Sequence, residues 1–243
     1  MPMKILAVDS STAKASVALY EQGNQSGKVL GVININDGKT HSEKLVPMIA
    51  EVISEARITP QDIDFYAVSA GPGSFTGLRI GVTTVKAIAM AVGKPCVAVP
   101  TLDALANNCT DHSGIICPMI NARNDQVFAA LYKDGGAVHI TGFMAKPIGE
   151  LLNDIKSACV DTGLKNIVLV GDAALMHIEF FTRHLKKSMT INIAPEDKLL
   201  ADAVSVAQVA ADMIKKGKTI SSFDLTPDYL RVSQAERLKN YNQ

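Results

Sequence analysis

Asp9, Ser10 and Ser11 close the apolar run "KILAVDSS", and Thr12 follows them. A carboxylate beside hydroxyls at a strand end suits two tasks: holding Mg²⁺ through water and meeting a phosphate. The same residues also make an ordinary turn, because Asp and Ser side chains bond nearby backbone, and that reading takes precedence. The second candidate is the stretch "SAGPGSFTGLRIG", Ser69 to Gly81. It is not a phosphate-binding Walker A loop, since Leu78 rather than Lys follows Gly77. Gly71, Gly73 and Gly77 space as GxGxxxG rather than GxGxxG, and Pro72 lacks the N–H that an anion would use. A strand-to-helix turn in which glycine permits tight geometry is therefore favoured over an anion cradle.

Metal and nucleophile chemistry find less support. His41, His112, His139, His177 and His184 include no i, i+4 pair, and no HExxH occurs. His177 and His184 sit two turns apart on an expected helix, a spacing that is usually structural. His41 beside Ser42 lacks a GxSxG elbow and a third partner. No catalytic residue, metal ligand or cofactor is assigned. Cys96, Cys109, Cys117 and Cys159 form no CxxC, and four cysteines in 243 residues are no disulfide framework. A reducing, cytoplasmic compartment is expected.

The elements that must position these residues follow from periodicity. "KILAVDSS", "ASVALYEQG" and "KVLGVINI" read as three strands. "HSEKLVPMIAEVISEAR" reads as a helix with Ser42 as N-cap, Glu43 in its first turn and Pro47 as a kink or boundary. "IDFYAVSAG" is a strand, "FTGLRIGVTTVKAIAMAVG" a helix, "PCVAV" a strand and "TLDALANN" a helix. The pattern then restarts. Asp9 set on Asn121, a shift of 112, places Ala18, Leu19 and Tyr20 on Ala130, Leu131 and Tyr132 without a gap. Afterwards "MAKPIGELLNDIKSA" reads as helix, "NIVLVGDAAL" and "MTINIAP" as strands, and "LADAVSVAQVAADMIKKG" as helix. Two α/β lobes are expected, residues 1–112 and 113–224, with a tail over 225–243. Hairpins open each lobe where a Rossmann sheet would have crossover helices, so mixed sheets are expected.

Composition sets the outer limits. Hydrophobic residues make up 47% of the chain and charged residues 20%, with a net charge of zero, so no whole-chain field draws it to nucleic acid or to an acidic membrane. The first apolar run is too short for a secretory signal, and no apolar stretch approaches about 18 residues, so no membrane span is expected. Asn121 cannot act as a base or add charge to a metal, which argues against ATP hydrolysis. Two helices are too apolar for one sheet to cover. Leu45, Ile49, Val52 and Ala56 form one face that Met48 and Ile53 widen, and in the later helix only Arg79 and Lys86 are charged.

Two lobes opening on such strands resemble the actin/Hsp70/sugar-kinase (ribonuclease H-like) type, with mixed sheets flanked by helices. More specifically, "AGPGSFTGLRIG", with "ILAVDSST", "HSEKL", "NAR" and "PDYLRVSQAE", resembles the bacterial TsaB (YeaZ) family over nearly the whole chain. The resemblance implies a non-catalytic subunit in threonylcarbamoyladenosine formation at position 37 of tRNA. It implies pairing with TsaD, a catalytic paralogue of the same fold, joined by the ATPase TsaE, with tRNA met indirectly through the complex. Asn121 departs from the family, which usually has Asp there, and residues 135–220 carry little that transfers. Asp9, Ser10 and Ser11 are the nucleotide candidates. Met48, Val52, Ile53, Gly77 and Gly81 are the expected partner interface, with Met48, Val52 and Ile53 its exposed part. The same surface is expected to form a homodimer when TsaD is absent. A small-molecule kinase of the same superfamily is the alternative function; a peptidase lacks any supporting constellation.

Overall fold

The computed structural model describes residues 2–24, 26–36 and 41–230. Two mixed sheets carry the same strand order. In the first, β1 (Met3–Asp9), β2 (Ala15–Gln22), β3 (Gly27–Ile35), β4 (Phe65–Gly71) and β5 (Cys96–Pro100) lie in the order β3-β2-β1-β4-β5. In the second, β6 (Ile115–Asn121), β7 (Gln126–Ala129), β10 (Met144–Pro147), β11 (Asn166–Val170) and β12 (Thr190–Ile193) lie in the order β10-β7-β6-β11-β12. In both, the opening hairpin pairs antiparallel and the two later strands pair parallel. The expected duplication is thus present in the topology.

Its register differs from the ungapped overlay. Asp9 pairs with Ser16, whereas Asn121 pairs with Val127, so the second hairpin is one residue shorter. The offset persists: Lys4 pairs with Glu21, and Ile116 with Tyr132 in the short strand β8 (Tyr132–Lys133). Tyr20 therefore corresponds to Leu131, and the matching Ala-Leu-Tyr triplets are out of phase by one. Such a slip moves side chains to the opposite face. The tightening is absorbed by Arg123, Asn124 and Asp125, three consecutive residues with φ of 62°, 52° and 55°. Left-handed backbone costs a non-glycine residue roughly 1 kcal/mol or more, least for Asn and Asp. A further short strand, β9 (Val138–His139), pairs with β8.

Six helices among the described residues cover the sheets. They are α1 (His41–Glu55), α2 (Phe75–Val92), α3 (Thr101–Asn107), α4 (Ile148–Thr162), α5 (Asp172–Leu185) and α6 (Ala203–Lys215). Three expectations need correction. Helix α1 begins at His41, so Ser42 lies inside its first turn rather than capping it, and the helix runs through Pro47. "MAKP", expected as helix, is strand β10, because it pairs with β7 before the helix begins at Ile148. Helix α6, placed by sequence in the second lobe, lies on the first sheet. There Ala203, Val206, Ala207 and Ala210 meet Ile5, Ala7, Ala18, Val97 and Val99. Its alanines let it sit close to the sheet.

The first sheet is thus covered on both faces. Leu6, Val8, Val17 and Leu19 point toward α1 and α2, joined by Leu45, Ile49, Val82, Val85 and Ala89. Strand residues alternate faces, which is why β1 reads as an unbroken apolar run. Helix α3 bridges: Ala104 joins the α6 side, while Leu102 and Leu105 belong to the second lobe's core. Helix α2 is long and apolar enough to cross a membrane by length and composition alone. Here one of its faces lies along the first sheet, with Leu78, Val82, Val85 and Ala89 buried.

After α6 the chain stays on the first lobe. Cys96 and Ile220 exchange backbone hydrogen bonds of 2.9 Å each, and Lys86 Nζ of α2 donates to the carbonyls of Phe223 and Leu225 at 2.7 and 3.2 Å. The Asp228 N–H donates to Ala70 O at 2.7 Å. Tyr229 stacks on Phe75 with centroids 4.7 Å apart, and Arg79 Nε donates to its hydroxyl at 3.0 Å. This strap takes up part of the apolar excess of α2. Of the expected tail, residues 231–243 lie outside the described residues.

Candidate functional site

The two candidate positions sit at the carboxyl ends of β1 and β6, where α/β sheets usually place ligands. Asp9 is fully buried. Its Oδ1 accepts from Ser11 Oγ at 2.7 Å and from Ser11 N at 3.4 Å. Its Oδ2 and the Ser69 hydroxyl on the adjoining strand are both buried and have no hydrogen-bond partner among the described residues. Burial pushes the Asp9 carboxyl above the usual carboxylate range. The Ser69 and Ser11 hydroxyls oppose the shift, and the Asp202 charge adds slightly to it. A fully buried carboxyl whose surroundings favour the protonated form is a poor ligand for a solvent-borne metal.

Ser10 and Ser11 are also committed. Ser10 Oγ donates to Gly77 O at 2.9 Å, and Ser74 N donates to Ser11 O at 2.7 Å. The glycine loop therefore lies directly against the β1–β2 turn. At Gly77 an added Cβ would fall 2.0 Å from Ser10 O, and at Gly81 one would fall 2.3 Å from Ser10 Oγ. These two glycines serve the approach of α2 to its own lobe. At the start of α2, Gly77 N donates to the Ser74 cap at 3.3 Å and Leu78 N to Ser74 O at 2.8 Å.

At the second position, Asn121 is exposed and engaged on three sides. Its N–H donates to Asp172 Oδ1 at 3.0 Å, its Oδ1 accepts from Arg123 N at 2.8 Å, and its Nδ2 donates to Met176 S at 3.4 Å. Asp172 was not singled out by sequence reasoning. The signal was present in "LVGDA", a strand followed by glycine and a carboxylate at a helix start. Burial raises the Asp172 carboxyl, opposed by the backbone bonds from Asn121 and Ala173. Asp172, the first residue of α5, holds the Asn121 and Ala173 N–H groups with one carboxyl oxygen. Among the described residues no three His, Cys, Asp or Glu side chains gather as metal ligands. His41 lies outside the described side chains, so the His41–Ser42 pair has no geometry to report.

The expected interface residues are placed differently from expectation. Met48, Val52 and Ile53 are buried in the first lobe's own core and expose no seam. The reason is that α1 uses a wide face: β2, β3 and α2 together surround it, so the residues flanking the Leu45/Ile49 line are covered too. What these helices do expose is Val46 at 55% and Met90 at 41%.

Comparisons with known proteins agree over most of the chain. A family described as "TsaD: tRNA N6-adenosine threonylcarbamoyltransferase" matches residues 24–237. The "tRNA threonylcarbamoyladenosine biosynthesis protein TsaB" of Bacillus subtilis is 27% identical over 239 residues, covering 96% of each chain. The protein of the same name from Escherichia coli is 27% identical, covering 94% of this chain and 95% of that one. The one from Buchnera aphidicola is 30% identical, over 69% of this chain and 78% of that one. Among solved structures, "YeaZ from Pseudomonas aeruginosa" superposes with a TM-score of 0.74 at 22% identity, over 94% of this chain and all of that one. With its repeated mixed sheets and its glycine loop closed onto the first strand turn, the chain belongs to the TsaB (YeaZ) family, within the wider threonylcarbamoyltransferase family that matches it.

Proposed function

We propose that this chain is a non-catalytic subunit in the formation of N6-threonylcarbamoyladenosine at position 37 of tRNA, supporting the catalytic paralogue TsaD. The observation that carries the reading is a first strand end packed against the glycine loop and a second that presents an amide in place of a carboxylate. Asp9 is buried with one oxygen held by Ser11, the glycine loop fills the space beside Ser10, and Asn121 puts an uncharged amide at the second strand end. The names of the relatives supply the pathway. A paralogue that has kept the fold but not an open pair of strand-end carboxylates acts by binding.

TsaD is the proposed principal partner and TsaE the second. The TsaD seam runs along the outward stripe of α1 and α2, through Val46 and Met90, and the same stripe serves a homodimer when TsaD is absent. The test is reconstitution. Threonylcarbamoyladenosine formation is measured on an unmodified tRNA transcript with TsaD, TsaE and an activated threonylcarbamoyl donor, with and without this chain. Product that depends on this chain, with no ATP turnover by the chain alone, is expected. Phosphorylation of a small acceptor by the isolated chain would establish the kinase reading instead.

A further inference from the structure

The chain is neutral as a whole, yet the end of α5 is not. Arg183, His184, Lys186 and Lys187 fall within five residues, and all four are exposed. Among the described residues, Arg183, Lys186 and Lys187 have no acidic partner. By contrast, Lys14, Lys146, Lys198 and Lys215 each meet an Asp. The turn after α5 leads into β12, where Thr190 N donates to Lys165 O at 2.8 Å. That bond brings a further exposed lysine to the same end of the second sheet. Beside the cluster runs a shallow groove of about 290 Å³, lined by Ile178, Glu179, Thr182, Arg183 and Lys186.

Helix-end compensation accounts for only part of this. One cation in a last turn answers the partial negative charge there, and α1, α2 and α4 manage with none. Lys186 and Lys187 follow the last helical residue, Leu185. Arg183, Lys186 and Lys187, exposed cationic heads without acidic partners among the described residues, repel one another, and that repulsion is relieved when a polyanion threads between them. A nucleic-acid backbone has this character, because phosphates recur at short intervals and each neutralised one releases a counterion.

We propose that the α5 end, Arg183, Lys186 and Lys187 with Lys165, is a docking surface for the phosphodiester backbone of the tRNA being modified. This rests on the function proposed above. It adds that the subunit touches the nucleic acid directly rather than only through its partners. Contacts of this kind position the substrate and read no sequence. Binding here is therefore expected to be strong in low salt and indifferent to tRNA identity.

The test uses the full chain in complex with TsaD and TsaE, and an unmodified tRNA transcript as probe. Arg183→Gln/Lys186→Gln/Lys187→Gln is compared with the charge-keeping Arg183→Lys/Lys186→Arg/Lys187→Arg. Complex assembly is followed by native mass, and tRNA affinity by fluorescence anisotropy across a salt series. The neutralised variant is expected to assemble normally, to bind tRNA about tenfold or more weakly at 0.1 M salt, and to lower the slope of log affinity against log salt by about 2. The charge-keeping variant is expected to match wild type. An unchanged affinity and slope would overturn the inference while wild-type product formation leaves the proposed function standing. Loss of TsaD or TsaE with the slope unchanged would also overturn it, in favour of an acidic protein partner. A wild-type complex that makes no product defeats the parent reading, whatever the salt series shows.

Discussion

Gly77 and Gly81 lie one turn apart on α2, both facing Ser10, and both are buried. Replacing either by alanine gains up to about 1 kcal/mol of helix propensity. The collisions differ. At Gly77 the new Cβ meets a backbone carbonyl, Ser10 O, at 2.0 Å. Relief requires α2 and the β1–β2 turn to part by about 1 Å, against the Ser74 N to Ser11 O bond. Overpacking of this kind costs typically about 1–3 kcal/mol and occasionally more; rigid backbone on both sides puts Gly77→Ala at the upper end. The net loss is about 2 kcal/mol, or a fall in Tm of roughly 4–8 °C for a chain of this size. At Gly81 the new Cβ meets the Ser10 hydroxyl at 2.3 Å, and Val68 Cγ2 stands at 3.4 Å. A hydroxyl can rotate away, forfeiting its bond to Gly77 O, which is worth about 1 kcal/mol. Gly81→Ala therefore lands within about 2 °C of wild type, and Ser10→Ala added to it relieves the remaining contact. Thermal unfolding followed by circular dichroism measures all three. If Gly77→Ala melts no lower than Gly81→Ala, the glycine loop does not owe its composition to this approach.

Three further outcomes are expected. Burial raises the folded pKa of Asp9 above its ordinary 3.8, so the folded state holds this proton in a window where the unfolded state has lost it. The stability due to Asp9 then falls as pH rises through that window. Asp9→Asn is expected to match wild type below about pH 3.8 and to be increasingly the more stable above it, as read by urea unfolding across pH; a wild type that gains on the variant with rising pH contradicts this. Tyr132→Phe removes the 2.6 Å bond from the Tyr132 hydroxyl to Asp103 Oδ1, which joins β8 to α3, and is expected to cost about 1–2 kcal/mol; an unchanged unfolding midpoint refutes it. Burial pushes the Cys96 and Cys109 thiols up to about 11, so neither should react with a thiol reagent at pH 8 until the chain is unfolded, and rapid labelling of the native protein would show the burial to be wrong.

Much of the architecture was legible because strands and helices announce themselves by period. Asp9 at the end of β1 and Asn121 at the end of β6 were found as a corresponding pair from a few identities alone. What escaped was whatever depends on a partner far away in sequence. The alanine face of α6 declares a close-packed helix, but nothing in it says that Ser16 of the first sheet will accept from Ala203 N at 2.8 Å. The wide apolar face of α1 is visible in the sequence, but the elements that cover it are not. Met48, Val52 and Ile53 face the lobe's own interior because β2, β3 and α2 enclose them. The one-residue shortening of the second hairpin was hidden by a chance Ala-Leu-Tyr match, and only strand pairing exposes it.

The return of α6 to the first lobe has a consequence for how this protein is made. Ribosomes deliver residues in order, and β1 to β5 emerge long before Ala203. Until α6 arrives, Ile5, Ala7, Ala18, Ala67, Val97 and Val99 present one bare apolar face of the first sheet to solvent. At roughly 5–20 residues per second, the roughly one hundred residues between β5 and α6 leave that face open for roughly 5–20 s. The second lobe, whose strands lie between these two stretches, has all its pieces before the first lobe does. The lobe that starts the chain is therefore finished last. A cut near residue 112 yields a first half that cannot close and is prone to self-association, while a break just before α6 leaves the second lobe with its own core and opens only the first.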